Sequence, residues 1–182
     1  MFDNGRTEAE ARQGERAVTF DDLIGPLLDR EKGYVDHASD RGGPTNMGIT
    51  QRTYTMWCND NGGMNRDIRG ITRPEAAAIY KANYWIPARC SELPESVREI
   101  HFDSSVNHGV SRAAKLLQAA AGVEQDGAIG DKTLAAVAEM DARLLKARYI
   151  NARYDFYGAI IQRDRSQLVF IAGWLARMSH FV

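Results

Sequence analysis

The segment from Thr19 to Gly33 constrains this chain more than any other. Phe20, Leu23, Ile24, Leu27 and Leu28 recur at i, i+3, i+4, i+7 and i+8, the spacing of one buried face of an α-helix. The next position on that stripe is Glu31, so a carboxyl is carried on the edge that meets the core. Thr19-Phe20-Asp21-Asp22 reads as a capping box, which predicts a helix start there. Gly33 is the natural C-cap, and Gly25-Pro26 predicts a bend or a delayed start.

Downstream of this helix the pattern changes. Residues Tyr34 to Gln51 are rich in turn formers, including Asp40-Arg41-Gly42-Gly43-Pro44, with Val35, Thr45, Ile49 and Thr50 around them. A small β-hairpin or irregular lobe is expected there. Thr72-Arg73-Pro74-Glu75 opens another helix with a capping box and an early proline. Further helices are expected near 95–108, 111–121, 131–157 and 166–178, punctuated by Gly122 and the Asp126-Gly127 turn, with Asp131 or Thr133 capping the helix that follows. The fold class is mainly α, an α+β arrangement with a small hairpin lobe beside a helical bundle.

At 182 residues and 44% apolar composition, the chain supports one compact domain or two small lobes sharing a core, with a soft boundary near residue 100. A net charge of −1 gives no general reason to bind nucleic acid or an anionic membrane. Residues 142–182 are nevertheless basic, from Arg143, Lys146 and Arg148 to Arg163, Arg165 and Arg177, which suits either a solvated helix face or an anionic envelope polymer. Cys58 and Cys90 are too few for a disulfide framework or a cysteine zinc site, and are expected as free buried thiols, one bridge being the alternative. His37, His101, His108 and His180 lack metal-ligand spacing, and the Asp126-Gly127 turn lacks the alternating oxygen ligands of a calcium loop. No metal or cofactor is expected. Met1 to Thr19 contains no apolar run of signal-peptide length. Leu168 to Leu175 is too short to span a bilayer, so no stable membrane insertion is expected and a buried terminal helix is.

Glycosidic hydrolysis needs one carboxylic acid to protonate the leaving oxygen and a second group to direct water or stabilise the cationic sugar. Apolar surroundings favour a protonated carboxyl and a solvated Gly-rich turn favours an ionised one, so Glu31 and Asp40 are expected to divide these tasks. Thr45 follows at a spacing that lets its hydroxyl orient the attacking water against Asp40. Each residue also has a plainer reading: a glutamate at a helix end is commonly solvated, an aspartate before Arg-Gly-Gly-Pro is a turn former, and a threonine caps local backbone. Tyr34, Tyr84 and Trp85 offer aromatic faces for sugar rings, with core packing as the alternative, whereas Trp57 and Trp174 are expected in the core. Asp103 and Asn107 share a helix face at i and i+4, placed either in a cleft or in a buried hydrogen-bonded pair.

The run Asp29-Arg30-Glu31-Lys32-Gly33-Tyr34-Val35, followed by Asp40-Arg41-Gly42-Gly43-Pro44-Thr45-Asn46-Met47-Gly48-Ile49-Thr50, resembles the signature of glycoside hydrolase family 108. Later pieces fit the same family in order: Tyr80-x-x-x-Tyr84-Trp85, Asp103-x-x-x-Asn107-His108-Gly109, Leu117-Gln118, Asp126-Gly127-x-x-Gly130-x-x-Thr133 and Gly173-Trp174-Leu175-x-Arg177. The likeness spans about residues 19 to 178. That family comprises N-acetylmuramidases with a lysozyme-like helical fold, many encoded by bacteriophages. Its Glu-Gly-Gly-Tyr motif places the catalytic glutamate at Glu31. Lys32 replaces the first glycine of that motif, and Ala176 stands where the family often has asparagine.

A flexible tail is expected over 1–18, and the resemblance implies a catalytic region over 19–100 and a helical, peptidoglycan-binding region over 101–182 packed into the same globule. It implies hydrolysis of the β-1,4 bond between N-acetylmuramic acid and N-acetylglucosamine, with inversion. The alternatives are a lytic transglycosylase, which also uses a glutamate but needs no water-directing aspartate, and a non-catalytic wall-binding module. By analogy with inverting lysozymes, the Glu31 and Asp40 carboxyls are expected about 6.5–9.5 Å apart. The implied partner is the peptidoglycan glycan strand, met by a monomer made in a phage host's cytoplasm without a signal peptide and released through a holin pore.

Overall fold

The computed structural model describes residues 17–31, 33–36 and 43–182; the expected tail up to residue 16, Lys32, His37 and Asp40 lie outside the described residues. Helix α1, Phe20–Arg30, begins where the capping box predicts, with the Thr19 N–H and hydroxyl both donating to Asp22. It runs through Pro26, and buries Phe20, Ile24, Leu27 and Leu28. The helix ends earlier than Gly33: Glu31 turns extended, at ψ 123°, while its N–H still bonds back to the Leu27 carbonyl. Just upstream, Val18 is tied down, donating to Glu95 and accepting from Arg98.

Strands β1, Thr45–Asn46, and β2, Ile49–Thr50, pair antiparallel, with Thr45 opposite Thr50 and Asn46 opposite Ile49. A single bridge from Val35 to Thr45 ties the chain leaving α1 to this hairpin. The turn places Met47 at φ +50° and Gly48 at φ +73°, both in the left-handed region that tight hairpin turns of this hand require. Helix α2, Gln51–Asp60, starts directly at the end of β2. Gln51 anchors the hairpin base, with its amide donating to the Arg66 carbonyl and its oxygen accepting from the Ile68 N–H.

Helix α3, Arg73–Tyr80, carries the expected Thr72–Glu75 capping box and passes into one π-helical turn, Lys81–Trp85. Then follow α4, Glu95–His108, and α5, Val110–Ala121, at the predicted positions. The segment expected as one helix over 131–157 is two, α6, Asp131–Glu139, and α7, Ala142–Arg163. Met140 is extended and Asp141 accepts from the Leu144 N–H, capping the second helix. The expected cap on α6 is absent, because Thr133 is drawn instead into a hydrogen bond from Gln118.

The C-terminal segment also differs from expectation. Asp164 breaks α7, a 3₁₀ stretch follows over Arg165–Phe170, and α8 is Ile171–Met178. Trp174 and Met178, one turn apart, pack against the core, which turns the rest of the apolar run outward. Val169 is 78% exposed and Phe170 53%. Two apolar clusters organise the chain. The first gathers α1, the hairpin, α2, α3 and Phe102; the second gathers Val97, Ile100, α5, α7 and the C-terminus. Helix α4 supplies both. Cys58 and Cys90 are both free and buried, and none of the described helices is long and apolar enough to cross a membrane.

Candidate active site

Glu31 stands at the seam between α1 and the hairpin. Its carboxyl lies against the backbone of Gly48, so closely that a β-carbon there would stand 3.0 Å from Oε2 and collide with the Tyr80 hydroxyl. The positive φ at Gly48 and this close approach both require glycine. Tyr80, at the end of α3, donates to the Met47 carbonyl at 3.0 Å and so clamps the strained turn from behind. Its hydroxyl is kept protonated by burial first, then by the charge of Glu31. Tyr84 leans on Tyr80 with ring centres 5.6 Å apart, and its acidity is likewise weakened by burial and by Glu31. The carboxyl is therefore half-buried beside a glycine turn and two tyrosines. Among the described residues it has no ion-pair partner.

The other expected site residues are distributed unevenly. Thr45 is half-buried on β1, its backbone paired with Val35 in both directions. Asp40, and with it the spacing to Glu31, lies outside the described residues. Tyr34 is 40% exposed, with its hydroxyl on Asp36 and the Arg69 guanidinium over its ring. Trp85 is corrected to the core. It is 4% exposed, wedged edge-on against Phe20 and Phe102, and its indole N–H is satisfied by Ser91, so it has no face left for a sugar. Helical spacing explains the division, since Tyr84 falls beside Tyr80 at i+4 while the adjacent Trp85 projects to a different side; the Ile86 N–H reaches back to Lys81 in the π-helical turn.

Asn107 is exposed, and its amide donates to the Asp103 carbonyl at 2.6 Å. Asp103 itself is buried, its carboxylate between Arg153 at 2.6 Å and Arg177 at 2.8 Å. Trp174, expected in the core, is half-buried and stacks on Tyr157 at 4.7 Å. Trp57 is likewise half-buried, stacked on Tyr54 and lining a separate cavity of about 550 Å³. Tyr80 and Gly48 were not singled out from the sequence as site residues. Tyr80 precedes Tyr84 by one helical turn, and that i, i+4 spacing is the signal that marks it.

Further along, the motif Leu117-Gln118 and the Asp126-Gly127 turn prove to be one knot. The Gln118 amide donates to Asp126, Ala128 and Thr133, and its oxygen accepts from the Gly127 N–H. Among the described residues no cluster of histidine, cysteine or acidic side chains is arranged to hold a metal ion.

Comparison with known proteins gives three findings. Residues 24–109 match the family model described as glycosyl hydrolase 108, and residues 112–179 the one described as predicted peptidoglycan domain. The solved structure of Brucella abortus SagA aligns with a TM-score of 0.73 at 36% identity, over 89% of this chain and 90% of that one. Comparison with functionally curated proteins returned no match. Fold and family models together define the class, a lysozyme-like glycoside hydrolase that acts on peptidoglycan. Within that class, the chain belongs to the glycosyl hydrolase 108 family and carries its peptidoglycan domain at the C-terminal end.

Proposed function

We propose that this protein is an N-acetylmuramidase that hydrolyses the β-1,4 bond between N-acetylmuramic acid and N-acetylglucosamine, with Glu31 as general acid. One observation carries the reading: the Glu31 carboxyl sits half-buried against Gly48, beside Tyr80 and Tyr84, and no cation among the described residues claims it. A general acid must hold its proton next to the leaving oxygen and release it as the bond stretches. The Met47-Gly48 turn clamped by Tyr80 fixes one wall against which that oxygen is positioned. Asp40 is assigned to the attacking water and Thr45 to orienting it, which yields inversion; this rests on the family motif and the position of Thr45 on β1. Tyr34 and Tyr84 supply the aromatic surface for the sugars on either side. Residues 19–100 then form the catalytic region, and 101–182 the region that engages the wall.

The test is Glu31→Gln, which removes the proton and little else. Reducing-end release from purified sacculi is expected to fall about 10²–10⁴-fold. A variant that clears sacculi at the parent rate overturns the assignment. Mass spectra of the products carry the added water for a hydrolase and lack it for a lytic transglycosylase. The endolysin role implied by the family goes with this activity, and is read out by lysis that depends on a co-expressed pore-forming holin.

A further inference from the structure

The buried ion cluster at the C-terminal end has an unbalanced charge. Asp103 lies between two guanidiniums, Arg153 and Arg177, so one positive charge is left over. Arg153 is wholly buried, whereas the Arg177 side chain is 26% exposed, so the surplus reaches solvent at Arg177. Arg177 lines a cavity of about 470 Å³ together with Asn107, His108, Tyr157 and Trp174. Its Nε is committed to Asp103, and among the described residues its two terminal nitrogens have no hydrogen-bond partner. That leaves a planar fork of donors on a residue that lines the cavity, the geometry suited to a carboxylate. His108 adds no charge of its own, since burial and then Arg153 push its pKa down to about 4.

Two further groups complete the cavity. The Asn107 amide nitrogen is spent on the Asp103 carbonyl, which leaves its side-chain oxygen as an acceptor with no partner among the described residues. The Trp174–Tyr157 stack forms an apolar wall.

We propose that this cavity is a subsite for a carboxylate of the peptide stem carried by muramyl residues, with Arg177 holding the carboxylate, Asn107 accepting a peptide N–H, and Trp174 packing on the stem. The proposal rests on the muramidase reading and adds that the enzyme reads the peptide as well as the glycan. Substrate stripped of its stems loses these contacts while the sugar contacts at Glu31 stay intact.

The binding test uses the full-length Glu31→Gln protein, which needs no turnover. It is titrated with a soluble muramyl peptide and with the same compound after its carboxylates are amidated, following tryptophan fluorescence. A charge-assisted pair of this kind is expected to give about 10–100-fold tighter binding of the carboxylate form. Adding Arg177→Gln should abolish that preference without weakening the amidated ligand. Equal affinity for the two ligands on the Glu31→Gln protein overturns the proposal, with no arginine variant required. If Arg177→Gln melts far below its parent because Asp103 has lost a partner, Arg177→Lys carries the test. It keeps the charge but not the fork, and is expected to weaken only the carboxylate ligand, by about fivefold.

The kinetic test compares intact peptidoglycan with amidase-stripped glycan strands. Arg177→Lys should raise KM on the former, leave kcat, and leave both unchanged on the latter. Equal effects on the two substrates show a pocket that does not read the peptide stem and refute the subsite. Absence of reducing-end release by the parent from either substrate instead refutes the muramidase reading, and leaves the binding comparison decisive for the cavity.

Discussion

Gly48→Ala is the sharpest single test of how the acid is held. Gly48 sits at φ +73°, where an L side chain costs about 1–2 kcal/mol. Its new methyl would also collide with the Tyr80 hydroxyl and press on the Glu31 carboxyl at 3.0 Å. Relief of that clash breaks the Tyr80–Met47 hydrogen bond, a further loss of about 1 kcal/mol, for a total of about 2–3 kcal/mol. Gly122→Ala is the control, because Gly122 has φ +74° and nothing within 4 Å of a β-carbon. Both variants share the backbone cost, and only one disturbs the site. At about 2–4 °C per kcal/mol for a chain of this size, Gly122→Ala should lower Tm by about 2–8 °C with full activity. Gly48→Ala should melt lower still and lose about 100-fold in rate, the effect of misplacing a reacting group by about 1 Å. Adding Tyr80→Phe removes the colliding oxygen and should recover part of that rate. Sacculus clearance and thermal melts read both quantities. If Gly48→Ala is as active as Gly122→Ala, the hairpin turn does not position Glu31.

Acid should destabilise the fold through His101, which is fully buried between the Tyr149 hydroxyl and the Ala88 carbonyl and whose pKa is pushed down to about 4 by burial. Because the unfolded chain binds this proton near pH 6.5 and the folded one does not until about 4, the stabilising contribution is whole above 6.5 and is lost as pH falls through that window, by about 3 kcal/mol. Urea midpoints at pH 7 and 4.5 measure the loss, and an imidazole NMR titration of His101 with a midpoint above 6 would contradict it. Gln118→Ala removes the hub of the 126–133 knot and its hydrogen bonds to Asp126, Gly127, Ala128 and Thr133, so about 2–4 kcal/mol of stability should go, read as a Tm drop of about 10 °C. A drop below about 2 °C would show that water replaces the glutamine without cost.

What was legible in the sequence was periodicity and punctuation. The stripe ending in Glu31, the Thr19 and Thr72 caps, and the helices at 95–108 and near 111–121 were all written in local spacing. The break at Met140 was fainter, since apolar and basic residues continue on both sides and only the Asp141 cap marks it. Outward and inward faces were not legible where a run is apolar all round. Leu168 to Leu175 could have packed either way, and tertiary contacts through Trp174 and Met178 decide which side turns in. In the aromatic run at 80–85 the one departure from expectation is Trp85. Consecutive helical residues do not share a face, so with Tyr84 beside Tyr80 at i+4, Trp85 is turned into the core.

The two apolar clusters share α4, and this bears on how recognition and chemistry are coupled. Phe102 belongs to the cluster that holds α1 and the hairpin, while Val97 and Ile100 belong to the one that holds α7 and the C-terminus. Asp103, the next residue, fastens Arg153 from α7 and Arg177 from α8. One turn on, Asn107 opens into the C-terminal cavity. The helix therefore carries core contacts for the lobe that bears Glu31 and polar contacts for the C-terminal one within a few residues of each other. A peptide stem seated at Arg177 is held on the same packed body as Glu31, so its contribution enters as affinity for the stem-bearing substrate and is read in KM.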